Sequence, residues 1–245
     1  MKQLLTLALM LPLFLLAQSQ KTVGNGNSGR SIQIVLKPYQ NVKVYLGSNY
    51  GNSRILADSC ILNDKSEGVF KASEKLTPGI YFIVSPKMSI LFDFLVDNNQ
   101  HFKITADTTN LKNVSISGSK ENELFQTYSK NINESFIELT AIEEKYKAAK
   151  TKADSNSFKE AYISKDKEIK QKRKLFINNN QNTLMSFLLK TMQVPDAPEM
   201  PVVNGKADSL YPYRYVKAHY WDDVVFNDNR LLRTPFFEKK LDDYF

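Results

Sequence analysis

Cysteine, histidine and tryptophan are nearly missing from this 245-residue chain, which holds Cys60, His101, His219 and Trp221 and no others of these types. One cysteine excludes an internal disulfide and the Cys-x-x-Cys pair of a dithiol redox centre, whose second thiol resolves the mixed disulfide. The two histidines stand far apart, without acidic or thiol companions at ligand spacing, so the sequence offers poor support for a metal site. No Lys-Thr-Gly element accompanies the S-x-x-K spellings at Ser117–Lys120 and Ser164–Lys167, and no nucleophile-elbow motif supports a Ser/His/Asp triad. No catalytic residue, metal or cofactor is therefore expected. Long apolar runs are also lacking after Leu16, so no transmembrane segment is expected beyond the first residues.

What the chain does have begins at its start. Lys2, the uncharged stretch Leu4–Leu16 and the small residues of Ala17-Gln18-Ser19 predict a cleavable signal peptide over 1–19. The stretch is too short to span a bilayer, and Pro12 interrupts it. No cysteine follows the cleavage site to accept a lipid, so a periplasmic or secreted protein is expected. At 42% hydrophobic and 24% charged residues, the composition is that of a globular protein and not of a disordered one. The net charge of +7 concentrates in Glu143–Lys174, where eleven Lys or Arg face six Asp or Glu. These charges are interleaved around a helical repeat without a stacking surface beside them, which reads as a solvated helix face and not as a nucleic-acid patch.

Residues 20–31 read as a flexible leader. Its Gly24–Gly29 spells G-x-G-x-x-G, but a dinucleotide site needs a strand before it and a helix after it. From 32 to 119 the pattern has a period of two: Ile32, Ile34 and Leu36, then Val42, Val44 and Leu46, then short runs at 69–70, 79–85, 90–97, 101–107 and 114–117. Turn residues separate these runs, which predicts an antiparallel β-sandwich of seven or eight strands. No helical crossover is available for a parallel sheet.

The period changes at Ser119, a helix cap followed by Glu121 and Glu123. Leu124, Tyr128, Ile132, Phe136, Leu139, Ile142 and Tyr146 form one stripe of a long helix, and Phe158, Tyr162, Ile169 and Phe176 mark a second. A break is expected at 150–157, and a third, shorter helix from Thr183 to Met192. The fold class is α+β, a sandwich followed by a helical hairpin domain over 120–194. A Pro-punctuated linker follows at 195–208, then an aromatic tail at 209–245 that reads as the start of a further module.

Two groups of residues are candidates for contact with other molecules. Tyr211, Tyr213, Tyr220 and Trp221 either stack on sugars or peptides or fill a core or interface. Cys60, within an apparent strand, is either a buried small hydrophobe or an intermolecular thiol. His101 is expected to begin a strand, and His219 sits among the tail aromatics.

The β-rich part also resembles a family. Asp58-Ser59, Gly68-Val69-Phe70, Leu76-Thr77-Pro78-Gly79-Ile80-Tyr81, Phe92 to Asp97, and Gly118-Ser119 with Asn122 follow one order. That order is similar to the N-terminal domain of unknown function in exported thioredoxin-like thiol:disulfide oxidoreductases of Gram-negative envelopes. The tail, with His219-Tyr220-Trp221-Asp222 and Leu231 to Phe237, resembles the start of a second module in the same proteins. The resemblance implies a non-catalytic recognition region whose partner is another protein, a thioredoxin-like domain, or a second copy of itself. Its redox residues match no position here. Rival expectations are a glycan- or peptide-binding module and, more weakly, a hydrolase with scattered residues.

Overall fold

A computed structural model describes residues 29–203 and 205–245. The expected signal peptide, and the leader through Ser28, lie outside the described residues. The N-terminal half builds eight strands: β1 (Arg30–Lys37), β2 (Lys43–Tyr50), β3 (Ser53–Ile61), β4 (Glu67–Ala72), β5 (Gly79–Val84), β6 (Ile90–Val96), β7 (His101–Asp107) and β8 (Ser115–Ser117). They form two four-stranded sheets, ordered β4-β1-β7-β8 and β3-β2-β5-β6. Alternation along β1 turns Ile32, Ile34 and Leu36 inward, where they meet Val44, Leu46, Phe70, Tyr81, Ile83 and Phe94. Phe94 and Phe102 close this core edge to face, with centroids 6.0 Å apart. Each such burial contributes about 1.5–3 kcal/mol before chain entropy is counted.

One strand pair departs from the antiparallel expectation. β1 runs parallel to β7, with Ser31 opposite His101 and Lys37 opposite Asp107. A parallel pair needs a crossover, and a helix is only the usual one. Here the second sheet serves, since the chain passes through β2, β3, β5 and β6 before returning as β7.

That second sheet is covered on both sides. Tyr81 and Ile83 of β5 face the sandwich core, while Ile80 of β5 and Leu95 of β6 join a second apolar cluster beneath the helices. α1 (Lys120–Ala148) starts at Ser119, whose Oγ accepts from the Asn122 amide at 3.3 Å. Gly118 supplies the φ of +85° that turns the chain into this cap. α2 (Lys152–Asn179) returns antiparallel to α1. It begins inside the expected break at 150–157, because Thr151 Oγ1 accepts from the Asp154 amide at 3.1 Å. α3 (Leu184–Met192) follows Thr183, as the sequence suggests, and fills the second cluster with Leu184, Met185, Leu188 and Leu189.

Within the Pro-containing segment, β9 (Val202–Val203) and β10 (Lys206–Ala207) pair as a minimal hairpin. α4 (Tyr211–His219) then opens with Pro212, whose fixed φ and missing N–H are tolerated in a first turn. A 3₁₀ turn at Leu231–Arg233 and α5 (Phe237–Tyr244) complete the tail. Val224, Leu231 and Phe237 make a third cluster with Phe187 of α3 and Trp221. No helix among the described residues is long and apolar enough to cross a membrane.

Candidate functional site

α3 is the element against which the rest is positioned. Glu121 lies in the first turn of α1, where the sequence suggests service to its own helix dipole. Its carboxylate instead accepts from the amides of Leu184 (2.8 Å) and Met185 (3.0 Å), two unpaired donors at the start of α3. At the opposite end, Lys240 of α5 donates to the carbonyls of Thr191 (2.9 Å) and Gln193 (2.5 Å). The Lys240 ammonium faces the rings of Tyr220 and Trp221, 4.8 and 5.6 Å from their centroids. Burial pulls its pKa below the ordinary lysine value, while Asp223 opposes that shift. Opposite charges thus sit at opposite ends of one helix, in the sense its dipole favours.

Beside Glu121, Asn122 reads the backbone of β6. Its Oδ1 accepts from the Leu95 amide and its Nδ2 donates to the Leu95 carbonyl, both at 2.8 Å. The tail reaches the same sheet from the other side. Arg233 Nη1 donates to Ser48 Oγ at 3.1 Å, and the Gly51 amide donates to the Leu232 carbonyl at 3.0 Å. Gly79 makes this approach possible, since a Cβ there would stand 2.3 Å from Arg233 Cβ.

Sandwich, α1, α3 and tail enclose a cleft of about 560 Å³ where they meet. Its lining includes Asp97, Asn98, Asn182, Asn227, Asn229 and Arg230. Burial pushes the Asp97 carboxyl above the usual range, against the opposing effects of the Asn99 amide and Lys75. Asp228, also in the lining, accepts from Arg230 Nε and Nη2 at 2.9 and 2.6 Å, and this pairing lowers its pKa. Arg230 in turn lies over the Phe187 ring, 3.9 Å from its centroid. The lining contains no thiol and no imidazole. Carboxamides, carboxylates and one fixed guanidinium suit the hydroxyls and amides of a polar ligand.

The four tail aromatics singled out in the sequence do not converge on this cleft. Tyr211 stacks on Tyr215 along α4 at 6.0 Å, and Tyr213 is 63% exposed. Tyr220 is buried, edge-on to Trp221 at 4.9 Å. Trp221, half-buried, packs on Phe226 and Tyr244 at 5.3 Å each. Trp221 therefore contacts the loop that lines the cleft without entering it. Cys60 lies in β3, half-buried against the sandwich core. Burial, followed by the Asp58 charge, raises its pKa to about 11.

His101 begins β7, and its Nε2 is buried without a hydrogen-bond partner among the described residues. His219 ends α4, with Nδ1 2.7 Å from Asp222 Oδ2. Among the described residues no group of three or more His, Cys, Asp or Glu could hold a metal ion. Sequence reasoning missed Asp97, the four asparagines of the cleft and the Glu121–Lys240 clamp. The one visible signal was the density of Asn and Asp at 97–99 and 227–229.

A family model described as a domain of unknown function (DUF5106) matches residues 162–245. The matched stretch starts within α2 and runs through α3, the Pro-containing segment and the tail. It makes no connection to thioredoxin-like oxidoreductases. No curated protein and no solved structure matches the chain.

Proposed function

We propose that the chain is the non-catalytic recognition region of an exported, cell-envelope thiol:disulfide interchange system, held together with a thioredoxin-like partner or domain. The observation that carries the non-catalytic part is the state of Cys60. With its pKa raised to about 11, roughly one thiol in 10⁴ is ionised at pH 7, and the thiolate is the species that attacks a disulfide. The envelope address rests on Lys2, the Leu4–Leu16 stretch and Ala17-Gln18-Ser19. The thioredoxin association rests on the ordered turn and core motifs from Asp58 to Asn122. Insulin reduction by the purified chain with dithiothreitol tests the reading: rates equal to the reductant alone are expected, and turnover overturns it.

A second reading, a glycan- or peptide-binding module, is favoured by the carboxamide-lined cleft. Trp221 packs on Phe226 in the adjoining loop, so its emission reports on that cleft. Titration with a panel of oligosaccharides and short peptides should shift the emission, and Asn227→Ala should abolish the shift. A flat response across the panel would count against this reading.

A further inference from the structure

A cavity larger than the cleft lies elsewhere, between α2 and the chain leaving α3. It measures about 760 Å³, and all the residues lining it fall between Ile163 and Asp223. Its α2 wall is a single stripe: Ile163, Lys167, Lys170, Lys174 and Ile177 recur at spacings of four, three, four and three. This stripe turns away from α1, which contacts α2 through Lys165, Lys172, Arg173 and Phe176. Val194 and Pro195 form the facing wall, with Lys190 at the end of α3.

The charges in this groove do not cancel. Five cations line it, Lys167, Lys170, Arg173, Lys174 and Lys190, against the carboxylates of Asp166, Asp196 and Asp223. Lys170 already engages two of these, Asp196 at 2.6 Å and Asp166 at 3.0 Å. Lys167, Lys174 and Lys190 are exposed and make no ion pair among the described residues. Beneath the ammonium groups the floor is apolar: Ile177 is buried, while Ile163 and Val194 are 56% and 53% exposed. A solvated helix face needs no such cavity beside it.

The geometry points to a docking groove for an extended acidic peptide with interspersed aliphatic residues, supplied by a partner protein. Carboxylates would meet the lysines of α2, and aliphatic side chains would cover Ile163, Ile177 and Val194. From Ile163 to Asn178 the groove runs about 22 Å along the helix. An extended segment of about seven residues has that length. A concave site with apolar floor favours a peptide over a flat anionic bilayer. This inference stands apart from the thiol:disulfide reading and from the carboxamide cleft, which can fail without it.

The test uses a fluorescein-labelled Glu-Leu-Glu-Glu-Leu-Glu-Glu peptide, its Gln-for-Glu counterpart, and fluorescence anisotropy at low salt. Saturable binding of the acidic peptide is expected, weakened at least about tenfold by the Gln-for-Glu change or by Lys167→Glu/Lys174→Glu. The same charge change in the sandwich, Lys71→Glu/Lys103→Glu, should leave binding within about twofold. Both groove lysines are exposed, so circular dichroism should show intact folding, and Lys167→Gln/Lys174→Gln offers a milder variant with the same readout. The proposal is overturned by absence of saturation up to about 1 mM, by equal binding of the glutamine peptide, or by equal losses in the two variants. Groove-dependent binding to phosphatidylglycerol vesicles without peptide binding overturns it as well.

Discussion

Inside the sandwich, Ile32, Leu36, Leu46, Phe70, Ile83 and Ile104 are fully buried, and no charged side chain is buried with them. Around α3 the arrangement is different. The two buried charged residues among the described residues, Glu121 and Lys240, each grip one end of this nine-residue helix. In the sandwich, apolar burial between two sheets is the support. α3 is too short to be stable by propagation alone, and its unpaired backbone groups face a partly apolar interior. Charged hydrogen bonds from α1 and α5 supply what the helix lacks, and they also fix how helices and tail sit against the sheet.

Substitutions in each half should separate these two modes of support. Phe94→Ala removes a fully buried ring between the sheets and should cost about 3–5 kcal/mol in guanidinium unfolding, with the whole transition shifted. Glu121→Ala leaves two α3 amides without an acceptor and should cost about 2–3 kcal/mol. Its distinguishing sign is faster amide exchange at Leu184 and Met185 with the sandwich amides still protected, and Glu121→Gln should lose less. If Glu121→Ala instead exposes both halves together, α3 is not a separately supported element.

Gly79→Ala drives a methyl group into Arg233 and should cost about 1–3 kcal/mol. Protease cleavage within 230–245 should accelerate while the β-sheet circular dichroism is unchanged. Acid should bear unequally on the halves too. Pairing with Arg230 lowers the Asp228 pKa, so its stabilising effect is complete above the unfolded value of 3.8 and fades as pH falls through the lowered folded value. Asp97, raised by burial, has the opposite sign: its penalty stands above the folded value and is relieved as protons bind. Asp228→Asn should therefore flatten the acid limb of a pH–stability curve, and Asp97→Asn should raise stability near neutrality. The smallest effect concerns Cys60, whose alkylation by iodoacetamide at pH 8 should run on the order of a hundredfold slower than that of free cysteine and climb toward pH 11.

Much of the architecture was written locally. Alternation at 32–36 and 42–46, and the cap Ser119, place their elements almost to the residue, because those signals depend on near neighbours alone. Thr151 was overlooked as a cap, since Lys150 to Ser157 carries no apolar stripe and hid a helix start behind its polarity. α4 was also hidden within the aromatic tail, although Pro212 falls where the first turn of a helix tolerates it. Partner choice was less legible still. Nothing near Glu121 says that its acceptors will serve a helix beginning at Leu184, and nothing near β1 says that β7 will run alongside it. The cleft shares this character, because Asp97, Asn182 and Asn227 meet only after three separate segments have packed.

The position of β1 carries a further consequence. It is an inner strand, flanked by β4 on one edge and by β7 on the other, and the second of these neighbours is made only after five intervening strands. A nascent chain must therefore hold β1 with one side unsatisfied until His101–Asp107 has emerged. During that interval Ile32, Ile34 and Leu36 present a sticky, half-zipped edge, which makes the β7 segment the gatekeeper of productive maturation.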